Sequence, residues 1–217
     1  EKAENFEEAL KELIKKNLKK HKRILFTGNN YCEEWVAEAE KRGLLNLKTT
    51  IDALTHYVSE KNIALFARHR IFSEREIRSR YEILVENYCK TIKIEALTMV
   101  DMARKDILPA VESYIKDLAD AANSKKALSA GISCEVEISL IERLSCLAKK
   151  LYDGTEKLCA QVAHAAGFSN ITDFAIYCRD EILKTMDEVR AAADELETLT
   201  SSKYWPFPAY SEILFSV

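Results

Sequence analysis

Apolar residues return at helical intervals along almost the whole chain. Between Glu4 and Lys20 they fall at Phe6, Leu10, Leu13, Ile14 and Leu18, one face of a helix. Ile24-Leu-Phe and then Gly28-Asn-Asn30 predict a short extended piece and a turn. Asn30 is placed to cap a helix through Arg42, with Glu33 at the reciprocal position and Gly43 as its stop. Trp35 and Ala39 lie one turn apart on its inner face. Thr50 is the expected cap of a short helix from Asp52 to Val58, and Ser59 of another with Ile63, Phe66 and Ala67 inside. Ser73-Glu-Arg-Glu76 is a capping box, so a long helix starts there. Its stripe of Ile77, Tyr81, Leu84, Tyr88 and Ile92 continues through Leu97, Val100, Ala103 and Ile107 to Pro109. From Ser73 to Asp106 a single helix would span roughly 50 Å. Pro109 lacks an amide donor and predicts a kink or break near Asp106. A second arm carries Val111, Ile115 and Leu118.

Gly131 and three serines mark a break from Ser124 to Ser133. Beyond it Ile141, Leu144, Ala148, Leu151, Thr155, Leu158 and Val162 alternate steps of 3 and 4, as bundle seams do. After a turn at Gly167-Phe-Ser-Asn-Ile-Thr, with Thr172 as cap, Ile182, Met186, Val189, Ala193 and Leu196 repeat the alternation. Two such stripes joined by a short turn make an antiparallel hairpin. With the arms around Pro109 they predict an all-α, four-helix-bundle-like domain over residues 73–202. A smaller α-rich part precedes it over residues 1–72. Glu135, Glu137, Glu142, Arg143, Lys149 and Lys150 fit the solvated face of the bundle.

Residues 203–217 break the helical pattern. Pro206 and Pro208 force their predecessors into extended conformations. Tyr204, Trp205, Phe207, Tyr210 and Phe215 make this tail too apolar for a free end. The expectation is an extended strap that cannot be helical, laid across an apolar surface of this domain or of something missing from it.

Five glycines and three prolines in 217 residues leave few turns, which agrees with long helices. A net charge of −3 gives no argument for a nucleic-acid partner. No stretch approaches the roughly 18 consecutive apolar residues of a membrane span. The opening Glu1-Lys-Ala-Glu-Asn reads like the inside of a helical region, and an excised fragment is expected.

Candidate chemistry is sparse. Cys32, Cys89, Cys134, Cys146, Cys159 and Cys178 form no Cys-x-x-Cys pair and read as reduced, mostly buried thiols. His21, His56, His69 and His164 are scattered, without the Glu-x-x-His spacing of a carboxylate-bridged metal bundle. The lysines ending the first helix complement its dipole, with a nucleic-acid patch as the lesser reading. Glu95 and Asp101 are candidates for acid–base work, but six residues apart they fall on different helix faces. Arg68, His69, Arg70, Arg75, Arg78 and Arg80 form a basic cluster around Ser73. It suits an acidic surface or a phosphate at the capped helix start, or an ordinary solvated or salt-bridging role.

Several words along the chain resemble the region after the catalytic domain of type III glutamine synthetases. They are Trp35-Val-Ala-Glu-Ala-Glu-Lys-Arg-Gly-Leu44, Asn46-Leu-Lys-Thr-Thr50, Asp52-Ala-Leu54, Arg80-Tyr-Glu-Ile83, Ile94-Glu-Ala-Leu97, Asp101-Met102, Ile107-Leu-Pro-Ala110, Asp194-Glu-Leu-Glu197 and Tyr204-Trp-Pro-Phe-Pro208. At Gly28-Asn-Asn30 the chain departs from the more acidic turn of that family. The resemblance implies a cytoplasmic parent enzyme joining ammonia to glutamate with ATP and Mg or Mn, in homo-oligomeric double rings. The family's metal and nucleotide residues lie upstream, so no catalytic, cofactor or metal residue is carried onto this segment. What remains expected here is a structural domain contacting its own catalytic domain and neighbouring subunits. Arg75, Arg78, Arg80, Tyr204, Trp205, Phe207, Tyr210 and Phe215 are the candidate interaction residues. Two rivals stand beside it: a regulatory module binding a nucleotide or protein at the arginines, and a small-molecule enzyme using Glu95 or Asp101.

Overall fold

A computed structural model describes residues 5–25, 27–29 and 31–214, apart from the side chains of Ala166, Tyr210 and Ser211. All its regular structure is helical, and no strand occurs among the described residues. The chain divides into two units, Glu1–Leu47 and Lys48–Val217.

In the first unit, α1 (Phe6–Lys20) starts at Asn5, whose side-chain oxygen accepts the amides of Glu7 and Glu8 at 3.2 and 3.4 Å. Glu7 and Glu8 in its first turn and Lys19 and Lys20 in its last complement the dipole. A 3₁₀ turn, Lys22–Ile24, takes in only the first residue of the expected extended piece; Leu25 is extended, at φ −86 and ψ 121, and Phe26 lies outside the described residues. α2 (Glu33–Lys41) has Cys32 at its N-cap with no side-chain bond; the expected cap, Asn30, lies outside the described residues. Gly43 does end it, at φ 80. The amides of Gly43 and Leu44 return to the carbonyls of Glu40 and Ala39, both at 2.9 Å, the paired closure that a left-handed residue permits.

The second unit opens with α3 (Thr50–Tyr57), capped by Thr49 rather than Thr50: Thr49 Oγ1 accepts the Asp52 amide at 3.3 Å. In α4 (Glu60–Arg68), Phe66 meets Tyr57 and Phe72 with ring centres 6.1 and 5.6 Å away, while Ala67 is exposed. α3 joins the bundle's unit because Ile51 enters the bundle core and Asp52 binds Arg179 at 2.5 Å. The division therefore falls before α3, ahead of the boundary at residue 72 read from the sequence.

The capping box at Ser73 forms: Glu76 Oε2 accepts the Ser73 amide at 2.8 Å and Ser73 Oγ accepts the Glu76 amide at 3.4 Å. α5 (Glu74–Met102) buries Ile77, Val85, Cys89, Ile92, Ala96 and Val100. Leu84 and Leu97, expected inside, are exposed. At 100° per residue Val85 and Ala96 stand about 80° and 100° around α5 from Ile77, so the buried face lies to one side of the Ile77–Leu84 line, and small residues there let neighbouring helices approach closely. The expected break at Pro109 is a π-turn, Ala103–Ile107, leading straight into α6 (Leu108–Leu128). Pro109 sits in the first turn of α6, and the wider turn before it accommodates the helical bond that its missing amide removes. α5 and α6 thus run end to end rather than folding back.

α6 also outruns the break expected from Ser124, because Lys125 and Lys126 suit a helix C-terminus. α7 (Glu135–His164) returns against α6 and α5, then α8 (Ile171–Tyr177), a second π-turn (Cys178–Ile182) and α9 (Leu183–Leu199) follow, with α9 packed along α7. Asn170, not Thr172, caps α8, accepting the Thr172 amide at 2.8 Å. The Thr172 hydroxyl instead lies 3.0 Å from that of Tyr81. Glu137 leaves the solvated face it was assigned: it is buried, and Lys125 of α6 donates to it. Two core clusters result among the described residues. One surrounds Leu158, Cys178 and Ile182, and the other surrounds Leu144, Leu151 and Leu196.

The tail is not extended throughout. Past Pro208 nothing bars a helix, and α10 (Tyr210–Leu214) forms, with the Ala209 amide donating to Glu212 Oε2 at 2.9 Å. Phe215 lies outside the described residues.

Candidate functional site

Thr200 leaves α9 in an extended conformation, and the Tyr204 and Trp205 amides bond back to Ser201 O at 2.8 and 3.1 Å. That turn sends the tail over the bundle. The Tyr204 ring lies 5.3 Å from that of Tyr114, and its hydroxyl donates to Asp117 Oδ2. Lys203 Nζ sits 4.8 Å above the Tyr204 ring; the hydrogen bond to Tyr204 is the main reason its pKa is raised. Trp205 and Phe207 meet edge to face at 6.2 Å, and both pack on the second core cluster. Three of the candidate tail residues therefore rest on their own bundle.

Under this crossing lies a cavity of about 450 Å³. Met99, Met102, Trp205, Phe207, Pro208 and Ile213 contribute apolar walls, and Arg190, Asp194 and Glu197 are its charged members. Arg190 Nε donates to Asp194 Oδ1 at 2.5 Å. The volume lies in the range of small-molecule pockets. Among the described residues its walls are mostly apolar, and they carry no nucleophile paired with a base.

The basic cluster is brought together only in part: Arg75 and Arg78 line one surface hollow with Glu74, Ser79 and Glu82. Arg78 is held by Glu74 at 2.7 Å, and Arg80 lies over the Phe72 ring at 4.5 Å. At 100° per residue Arg80 stands roughly 140° around α5 from Arg75. Glu95 is exposed, Asp101 pairs with Lys105 one turn on, and neither borders the tail cavity.

The six cysteines are free thiols, and Cys89, Cys134 and Cys178 are buried. Burial, then the neighbouring Cys89 thiol, pushes Cys178 up to about 12; burial likewise raises Cys89. Both stay protonated at neutral pH, which removes them as nucleophiles. His164 is an aromatic packing residue, 5.5 Å from Phe168 and 5.7 Å from Tyr177. Among the described residues no group of three or more His, Cys, Asp or Glu is placed to hold a metal ion. No helix among them is long and apolar enough to cross a membrane.

The partners of the tail went unseen in sequence. Tyr114 and Asp117 lie on α6, and the latter is 87 positions from Tyr204. No local pattern announces a polar contact across such a span. The ion pair of Arg179 with Asp52, across 127 positions, escaped for the same reason.

Comparison with known proteins places these features. Residues 9–126 match the family described as the glutamine synthetase C-terminal domain. A glutamine synthetase of Butyrivibrio fibrisolvens is 42% identical over 99% of this chain, which covers 31% of that relative. A type-3 glutamine synthetase of Dictyostelium discoideum is 36% identical over 95% of the chain and a glutamine synthetase of Bacteroides fragilis 30% over 97%, each covered to 29% of its length. The chain thus spans about a third of these relatives, as their C-terminal portion. An all-helical bundle closed by an aromatic tail, matched in this way along nearly its whole length, belongs to the glutamine synthetase C-terminal domain family.

Proposed function

We propose that this chain is the non-catalytic helical domain of a parent ligase that makes glutamine from glutamate, ammonia and ATP, and that it supports folding and subunit assembly of that enzyme. The ATP and the divalent metal, Mg or Mn, act in the upstream body and not in this segment. The domain's partners are its own catalytic domain and neighbouring subunits in a homo-oligomeric, cytoplasmic ring. The observation that carries this reading is the tail, where Tyr204, Trp205 and Phe207 are spent on closing the bundle. A bundle closed in this way can present a fixed outer surface to neighbouring bodies.

The test is deletion of residues 204–217 from the full-length enzyme. The expected result is lower thermal stability together with a smaller assembled mass. An unchanged assembly of unchanged stability would overturn the role of the tail. Glutamine formation by the segment alone would overturn its non-catalytic assignment. The regulatory alternative at Arg75, Arg78 and Arg80 finds little support, since Arg78 and Arg80 already have partners and the three do not face one way.

A further inference from the structure

The described residues between 5 and 47 form the amphipathic helices α1 and α2 without a core. Not one of the described residues in this stretch is buried. On α1, Phe6, Leu10, Leu13, Ile14 and Leu18 share one face, yet each is 42–74% exposed. Leu44, Leu45 and Leu47 are exposed as well. A 15-residue helix is marginal in water by itself, and such a stripe holds its helix only when covered. A stretch this short does not build a sufficient core alone.

Three observations identify the cover. The chain matches its relatives as their C-terminal portion, so the polypeptide missing from this structure joins at residue 1. More than two-thirds of each relative lies outside the match, which is ample for a body with a core of its own. The uncovered face begins at Phe6, within a few residues of that junction. The face is also small: five side chains on one helix fall well short of the roughly 800 Å² per partner of a stable free-standing interface. A face of that size binds firmly when its partner is tethered, because the tether supplies a high effective concentration. A lipid surface fits poorly, because at 100° per residue Glu7 falls inside the apolar arc, between Ile14 and Leu18.

We propose that α1 docks its apolar face on the polypeptide that precedes residue 1 in the same chain, so that residues 5–47 complete that body's core. This rests on the reading of the chain as the C-terminal portion of a longer glutamine synthetase. The test is hydrogen–deuterium exchange on the full-length protein, wild type beside the mild variant Leu13→Ala and the severe variant Ile14→Asp. Amine cross-linking from Lys11, Lys15 and Lys16 of the wild type supplies a readout that needs no variant. The expected result is α1 amides at least tenfold slower than an unstructured peptide. Both variants then speed exchange in α1 and in a contiguous region upstream of residue 1, and the cross-links land in that region. Exchange at the unstructured rate in the wild type would overturn the proposal. So would cross-links confined to residues 48–217, or protection lost on dilution together with a halved mass, which would mark a second copy. Glutamine formation by the same preparation reads the proposed function separately: no activity beside a protected, cross-linked α1 sinks that function and leaves the docking standing.

Discussion

Gly154 offers a sharp test of the α7–α9 seam. A Cβ built on Gly154 would stand 3.0 Å from Val189 Cγ2, closer than relaxed carbon contacts. Val189 is buried in the second core, and a β-branched residue on a helix has essentially one side-chain rotamer. Two effects oppose each other in Gly154→Ala. Replacing glycine inside a helix stabilises by about 1 kcal/mol. Overpacking a filled seam costs about 1–3 kcal/mol. The clash wins, and a net loss of about 1 kcal/mol is expected. Removing the methyls by Val189→Ala costs about 2 kcal/mol in lost burial and cavity. In that background the clash is gone, so Gly154→Ala there should stabilise by about 1 kcal/mol. The double-mutant cycle then shows a coupling of about 2 kcal/mol. Urea unfolding of the four proteins, with unchanged slopes, measures it. A gain of equal size in both backgrounds would show that the helices do not approach as described.

Four further substitutions probe other joints. Arg70 ends α4 at φ 56, a left-handed conformation that burdens a residue with a side chain, so Arg70→Gly should stabilise by about 1 kcal/mol and raise the urea midpoint; a lowered midpoint would refute the conformation. Asn170→Ala should remove the α8 cap and cost about 1 kcal/mol, whereas Thr172→Val should leave helix content intact and lose only the Tyr81 contact; equal loss of helix content in circular dichroism would return the cap to Thr172. The hydrogen bond from Lys125 holds the Glu137 carboxyl below the usual carboxylate range. A depressed acid stabilises above its unfolded pKa, about 4.3, and loses that contribution as pH falls below it. Melting temperatures from pH 7 to pH 3 should fall more steeply for wild type than for Glu137→Gln, and parallel curves would refute the pairing.

How much the sequence disclosed follows from how local each cause is. The 3–4 alternation from Leu144 to Val162 names the buried face of α7, because a bundle seam repeats on one helix. The same reasoning misplaced Leu84 and Leu97, since size alone does not say which apolar residue faces inward when valine and alanine compete. Caps slipped by a residue or two at Thr49 and Asn170, where adjacent residues share the same capping chemistry. Nothing near Cys178 announces the second π-turn. Glu137 reads as a surface charge until Lys125 of another helix covers it. At the candidate site the apolar tail and its need for a surface were legible, while Tyr114 and Asp117 were not.

The proposed role for this domain is scaffold and no chemistry. It meets its most direct test in steady-state kinetics of the full-length enzyme carrying Arg75→Ala, Arg78→Ala, Arg80→Ala, Glu95→Gln and Asp101→Asn together. On the proposed reading kcat and KM for glutamate, ammonia and ATP stay within about twofold of wild type, because replacing groups that only hold a scaffold removes no transition-state interaction. A hundredfold loss of kcat in a variant with native mass and native melting temperature would contradict it.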